Sequence, residues 1–182
     1  MSILWKTAAN TVLVSAGSAA FAPVTGLPAS PAIAIAADKA ANGVYYAAVG
    51  SAFYVSTNSG ATFTLATGTL GTSAWPFRVI VHPKVAGDIW VSTDKGLFHS
   101  TNSGATFTAV PGITQAWSIA LGAPKTTGGY PALYAAANFG DGVGYFRSDD
   151  QGTNWVKIND AKFGFGNAGA NVIAADWQVY GR

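Results

Sequence analysis

Three observations in the sequence predict an all-β protein. An eight-residue motif, which we call the octet, occurs as STNSGATF at residues 56–63 and 100–107 and as SDDQGTNW at residues 148–155. The copies begin 44 and 48 residues apart, within the roughly 40–50-residue period of a four-stranded propeller blade. The chain has 22 glycines and no glutamate, which disfavours surface helices. We therefore predict one domain, residues 1–182, built as a β-propeller of about four four-stranded blades, partial or truncated.

The octet is expected to form the turn of a hairpin. Its side-chain oxygens can accept hydrogen bonds from backbone amides inside the turn, and its glycine can adopt the positive φ that other residues resist. An aromatic side chain then starts the returning strand. The structural positions are Ser56, Asn58, Gly60 and Phe63 in the first copy, Ser100, Asn102, Gly104 and Phe107 in the second, and Ser148, Asp150, Gly152 and Trp155 in the third. A diverged fourth copy lies at residues 15–21.

Short apolar runs on both sides of the octets predict the strands in chain order. Residues 1–26 supply about three strands, and each later blade adds an inner strand of small and β-branched residues, which suits the crowded centre of a propeller. The predicted strands are 2–6, 11–15 and 20–24; then 32–36, 43–49, 52–56 and 61–65 in blade 32–66; 77–81, 88–92, 96–100 and 105–110 in blade 77–110; and 117–121, 132–136, 143–147 and 154–158 in blade 117–160.

The two ends of the chain are expected to share the remaining blade. Residues 171–176 read as one more inner strand, and residues 1–26 lack an inner strand. We therefore predict that residues 1–26 and 171–182 form the fourth blade if the ends meet. Because open sheet edges expose unpaired backbone groups, the ends should otherwise pair with a second copy as a homodimer.

The N-terminal residues also have a second interpretation, as a signal peptide. Lys6 would be its charged region and residues 19–22 its cleavage-like end. Polar residues interrupt the apolar run, however, and the segment aligns with the strands and octets of later repeats. We therefore expect part of a blade with no signal peptide, as in an engineered or truncated form of a longer protein.

Composition argues against several classes of partner. With 49% apolar and 10% charged residues, the chain should fold around a core. A net charge of +2 from ten scattered lysines and arginines predicts no nucleic-acid partner, and no apolar run is long enough for a membrane span. The absence of cysteine excludes disulfides and thiolate metal sites. His82 and His99, in unrelated positions, do not predict a metal site, and we expect no cofactor.

The octet resembles a known pattern, the Asp-box of BNR-like repeats in sialidases, sortilins and family-74 xyloglucanases, written Ser-x-Asp-x-Gly-x-x-Trp. The third copy matches it fully, whereas the first two carry Asn for Asp and Phe for Trp. Longer segments, residues 87–104, 130–134 and 146–160 and the closing residues 180–182, resemble the C-terminal propeller of family-74 glycoside hydrolases, which are xyloglucanases and oligoxyloglucan-hydrolysing enzymes. The resemblance covers essentially the whole chain. It implies that the octets are structural turns.

The family resemblance also implies a secreted parent enzyme. In this family two seven-bladed propellers face each other across a cleft that binds the xyloglucan backbone, and one carboxylate acts as acid and another as base. The family's two catalytic aspartates lie in glycine-rich motifs that this chain lacks. Asp141, within residues 140–142, superficially resembles such a segment, but its place between the second and third strands of a blade argues against catalysis. We therefore assign no catalytic residue, with Asp141 as the single candidate.

Three tryptophans are candidates for sugar binding. Trp75, Trp117 and Trp177 lie at or next to loops that lead into inner strands, on the face where propellers usually bind ligands. Their rings could stack on xyloglucan or a related β-glucan, although tryptophan is also a common propeller core residue. Three hypotheses stay open: a fragment of a xyloglucan-hydrolysing enzyme that is inactive alone, a non-catalytic carbohydrate-binding module, and an engineered or truncated propeller scaffold that self-assembles.

Overall fold

In the computed structural model, the described residues are 2–140, 142–159 and 172–182. They contain strands and no helix, and hence no helix of the length and apolarity that crossing a membrane requires. The strands are β1 (Ser2–Lys6), β2 (Val12–Ala16), β3 (Ala22–Pro23), β4 (Ile33–Ala37), β5 (Tyr45–Val49), β6 (Ala52–Ser56), β7 (Thr64–Thr69), β8 (Pro76–Val81), β9 (Ile89–Thr93), β10 (Gly96–Ser100), β11 (Thr108–Ala109), β12 (Ile113–Gly122), β13 (Ala132–Phe139), β14 (Gly142–Ser148) and β15 (Val156–Lys157).

These strands form four separate antiparallel sheets in which neighbours along the chain pair. The orders are β4-β5-β6-β7, β8-β9-β10-β11 and β12-β13-β14-β15, and the first sheet has three strands in the order β1-β2-β3. We number these sheets blades 1 to 4 in chain order. The prediction of an all-β fold made of propeller blades is confirmed.

The core lies between adjacent blades. Side chains of blades 2 and 3 bury Tyr46, Phe53, Leu70 and Ile89 in one cluster, and blades 3 and 4 bury Trp90, Leu97, Ile119 and Leu133 in another. Burying each large apolar side chain of this kind contributes about 1.5–3 kcal/mol. The blades therefore hold one another in place chiefly through side-chain packing.

The outer strands begin later than the sequence predicts. Phe63, Phe107 and Trp155 each lie just before the outer strand rather than within it. For Phe63 the reason is a hydrogen bond to the preceding blade, because its backbone amide donates to the carbonyl of Thr25 (2.9 Å). An amide that bonds the neighbouring blade cannot also join the ladder of its own sheet.

The predicted fourth blade made from both ends of the chain is not seen in the described residues. Residues 172–182 form no strand, β1 pairs only with β2, and Asn171 lies outside the described residues. Residues 172–176 instead run alongside β12 in the same direction. The amide of Ile173 donates to Ser118 Oγ (3.1 Å), and the carbonyl of Asp176 accepts from the amide of Ala123 (2.7 Å). Ile173 also packs against the buried cluster around Tyr134, so apolar contact holds this segment beside β12.

Candidate functional site

Each octet forms a turn closed by its own side chains. In the first copy Ser56 Oγ accepts from the amide of Gly60 (3.1 Å), and Asn58 Oδ1 accepts from the amide of Thr62 (2.9 Å) and from the Ser56 hydroxyl (3.0 Å). The other two copies repeat all three bonds at 2.8–3.0 Å, from Gly104, Thr106 and Ser100 and from Gly152, Asn154 and Ser148. Asn therefore closes this turn as Asp does.

The octet glycines also contact the preceding blade. All three have a φ between 80° and 85° and are buried. A Cβ added at Gly60, Gly104 or Gly152 would lie within 2.4–2.8 Å of Leu4, Phe53 or Trp90 respectively. Glycine is thus required at this position both for its backbone conformation and for the close approach of two blades.

A second repeated turn follows the inner strands and was missed in the sequence. Asp38 Oδ1 accepts from the amides two and three residues later (2.8 and 2.9 Å), His82 Nδ1 does the same (3.1 and 3.0 Å), and so does Asp176 Oδ1 (2.7 and 3.1 Å). Each residue stands one position after an inner strand or, for Asp176, at the end of the segment beside β12. The recurrence of a turn-forming residue at the end of each inner segment was visible in the sequence. Because Asp176 makes the same turn bonds as Asp38 and His82, residues 172–176 correspond to an inner strand.

His82 must be neutral to form its turn, because Nδ1 accepts two hydrogen bonds and cannot also carry a proton. Burial lowers the pKa of His82 from 6.5, with Lys84 acting in the same direction and Asp88 against it. A His pKa that is lower in the folded state gives stability that is fully present above pH 6.5 and is lost as the pH falls through the folded value.

We therefore expect His82→Asn, which keeps a neutral acceptor, to reduce the loss of stability on mild acidification. The free energy of unfolding of the wild type should fall from about pH 7.5 to about pH 5.5, and the variant's should fall less. Urea titrations at both pH values measure the difference. Equal losses in the two proteins would contradict a role for His82 protonation.

His99 belongs to a hydrogen-bonded network between blades 3 and 4. Asp88 Oδ1 accepts from His99 Nε2 (2.9 Å) and from the Tyr130 hydroxyl (2.8 Å), and Tyr130 Oη accepts from Trp90 Nε1 (2.8 Å). The Trp90 and His99 rings stack at 3.9 Å between centroids. Burial raises the pKa of Tyr130, so its hydroxyl stays protonated and donates. Within the described ranges no three His, Asp, Glu or Cys side chains gather as metal ligands would.

The inner strands β8 and β12 define two faces of the molecule. We call the side on which they begin the upper face, with residues 70–75 and 110–112, and the side on which they end the lower face, with residues 38–44, 82–88 and 123–131. Between the two faces the inner strands border a central cleft of about 310 Å³, whose charged side chains are Arg78 and Lys39. No carboxylate from the described part of the chain lines this cleft.

Trp75 lies on the upper face with 46% of its surface exposed. Its loop is fixed by Asp94, whose Oδ1 accepts from the Ser73 hydroxyl and from the amides of Ala74 and Trp75 (2.9–3.1 Å). Burial acts to raise the pKa of Asp94, but these hydrogen bonds outweigh it and the pKa lies below its usual value. The hydrogen bonds to Asp94 thus fix the loop that carries the exposed indole.

Trp117 is half-buried near the middle of β12, at a shift in the register between Ala116 and Ser118. Phe77 occupies the corresponding shift in β8, between Pro76 and Arg78. Such bulges re-aim a side chain out of the regular alternation of a strand. Sequence reasoning missed Phe77, although its alignment with Trp117 was visible in the repeat.

The three predicted tryptophans do not share one face. Trp177 is 48% exposed and lies at the lower face, where Lys39 Nζ stands 5.8 Å from its ring centroid and His82 and Gly122 line the same cleft. The structure therefore places Trp75 on the upper face just before β8, Trp117 within β12 and Trp177 at the lower face. Asp141, the single catalytic candidate, lies outside the described residues.

Comparisons with known proteins identify the relatives of this chain. No protein-family model matches it. Over all 182 residues it is 38% identical to a xyloglucanase of Hypocrea jecorina, and over 150 residues, 81% of the chain, it is 37% identical to a xyloglucanase of Acetivibrio thermocellus. It spans only 21% and 18% of the lengths of these two relatives.

Solved structures give the same assignment. The whole chain superposes on 27% of a family-74 (GH74) enzyme of Niastella koreensis with a TM-score of 0.87 and 28% identity. It also superposes on 26% of the GH74 xyloglucanase of Xanthomonas campestris with a TM-score of 0.80 and 26% identity. The chain is thus, over its whole length, a propeller portion of a family-74 glycoside hydrolase.

Proposed function

We propose that this chain is the saccharide-binding part of a secreted, xyloglucan-hydrolysing enzyme that cleaves the β-1,4-glucan backbone. The observation that carries the proposal is the 38% identity to a xyloglucanase along all 182 residues. The upper face supports it, because Trp75 stands exposed on a loop fixed by Asp94. Bulges also re-aim Phe77 and Trp117 within the neighbouring inner strands β8 and β12. Aromatic side chains so placed can stack on pyranose rings.

We also propose that the chain alone does not hydrolyse xyloglucan. The central cleft carries Arg78 and Lys39 but no carboxylate from the described residues, whereas inverting and retaining glycosidases both need two carboxyl groups about the scissile bond. This portion would then bind xyloglucan without cleaving it, and a second portion of the parent enzyme would supply the catalytic carboxyl groups.

The experiment measures retention and sugar release with the same preparation. The chain should be slowed in native gels that contain xyloglucan and release no reducing sugar above a heat-denatured control. Trp75→Ala should weaken the retention about 2- to 10-fold, the effect of losing about 0.5–1.5 kcal/mol of stacking, whereas Trp5→Ala on the outside of blade 1 should not. Reducing sugar formed in proportion to the chain would disprove inactivity, and absence of retention would disprove binding by this portion.

A self-assembling propeller is the second candidate, and the first sheet favours it. Among the described residues β1 pairs on one side only, and its Ile3 and Trp5 are 53% and 61% exposed. An unpaired strand with apolar side chains tends to recruit another strand. We propose a homodimer through this edge, for which light scattering would give twice the 18.6 kDa of the chain; a mass of one chain would rule it out.

A further inference from the structure

A second cleft opens on the lower face, where β8 and β12 end. It measures about 460 Å³, and its wall includes His82, Lys84, Tyr130, Gln151 and Trp177. Trp75 and Trp117 do not line it. This cleft is therefore separate from the surface assigned to xyloglucan above.

Trp177 gives this cleft an aromatic platform. Nearly half of its surface is exposed, and it borders both the lower cleft and the central cleft. Lys39 Nζ lies 5.8 Å from the centre of the ring, a distance at which a cation is attracted to the π-face. An exposed indole beside a cationic group suits a ring ligand that carries negative charge.

The charges around the cleft favour an anion. Lys39 and Lys84 are exposed, and among the ion pairs of the described residues neither lysine takes part. The carboxylates of Asp38, Asp88 and Asp176 lie nearby and are held by hydrogen bonds, but none of the three lines the cleft. Lys84 lines the cleft and no carboxylate of the described residues does, so the wall favours an anion, and screening by salt would weaken this effect.

The wall also offers neutral donors for hydroxyl groups. Because His82 Nδ1 accepts from the amides of Lys84 and Val85, the proton of the neutral ring lies on Nε2. The exposed Gln151 adds an amide that can both donate and accept. A ligand with hydroxyl groups, one flat apolar face and a carboxylate would use all of these features.

We propose that the lower cleft binds an acidic pyranoside, with a uronate ring stacked on Trp177 and its carboxylate paired with Lys84. The site is separate from the surface assigned to xyloglucan, because neither Trp75 nor Trp117 lines the lower cleft. The chain would then contact two chemically different polysaccharides at once, one on each face.

Fluorine NMR of the chain labelled with fluorotryptophan tests the proposal residue by residue. The sequence has six tryptophans, so each resonance can be assigned by one Trp→Phe variant. Trigalacturonate at millimolar concentration should shift the Trp177 resonance and leave the Trp75 resonance in place. Cellotriose, which is neutral, should shift the Trp177 resonance only at a concentration about 5-fold higher, the effect of about 1 kcal/mol from an exposed charge pair.

Charge variants complete the test. Lys84→Gln should weaken trigalacturonate binding about 5-fold, and high salt should do the same, whereas Lys6→Gln in β1 is the matched control and should change neither. Trp75→Phe should leave the Trp177 response intact even if xyloglucan binding is lost, so the two sites fail separately. A Trp177 resonance that does not respond to trigalacturonate, or that responds equally to cellotriose, would overturn the proposal.

Discussion

Gly104→Ala is expected to lower the free energy of unfolding by about 2–4 kcal/mol. The residue has a φ of 83°, which costs an alanine about 1 kcal/mol, and the new methyl group would stand 2.4 Å from Cδ1 of Phe53, where overpacking costs about 1–3 kcal/mol more. Phe53 cannot move away easily, because it is fully buried and packs against Tyr46 and Phe107 at 5.8 and 4.8 Å between ring centroids. Urea unfolding followed by fluorescence measures the loss.

Gly50→Ala is the matched control for this variant. Gly50 also has a positive φ, 58°, but a Cβ there would meet no atom within 4 Å. Gly50→Ala should therefore lower the free energy of unfolding by about 1 kcal/mol, the cost of the positive φ alone. If the two variants lost equal stability, the contact between the second and third blades at Gly104 would make no measurable contribution to the free energy of unfolding.

The octet turns were predictable because they are local. Ser, Asn or Asp, and Gly stand at fixed offsets, and each side chain bonds an amide four residues later within the same turn. The contacts of Gly104 with Phe53 and of Gly152 with Trp90 were not predictable from that pattern, because they join residues about one blade apart. Repetition indicated that the blades exist, whereas the packing between blades depends on individual side chains.

The position of Trp177 differs from the one expected from the sequence. The residue follows an inner-strand pattern, and a residue that follows an inner strand lies at the lower face with Lys39 and His82 rather than at the upper face with Trp75. Residues 172–176 carry that pattern without forming a strand in the described part of the chain. Inner strands of neighbouring blades contact each other through side chains and not through backbone hydrogen bonds. The segment can therefore pack against β12, but among the described residues it has no strand of its own sheet to pair with.

Asp38→Ala should lower the free energy of unfolding by about 3 kcal/mol or more, since each buried donor left unpaired costs about 1–3 kcal/mol. Asp38 is 6% exposed and accepts four hydrogen bonds, two of them inside its own turn. The other two come to Oδ2 from the Tyr46 hydroxyl and from the amide of Gly87 in the next blade, both at 2.9 Å. One carboxylate thus satisfies donors from two blades.

Two comparisons separate this inter-blade role from the turn itself. Asp176→Ala removes the same turn bonds at a half-buried position whose carboxylate accepts no bond from another blade among the described residues, and it should cost much less. A double-mutant cycle with Tyr46→Phe isolates the hydroxyl bond, because Tyr46→Phe should cost less in the Asp38→Ala background than in the wild type. If Asp38→Ala and Asp176→Ala lost the same stability, the bonds to Tyr46 and Gly87 would add nothing to the turn. A larger loss for Asp38→Ala, together with coupling to Tyr46, would mean that the lower face is fixed by buried polar contacts between blades, while the apolar clusters secure the interior.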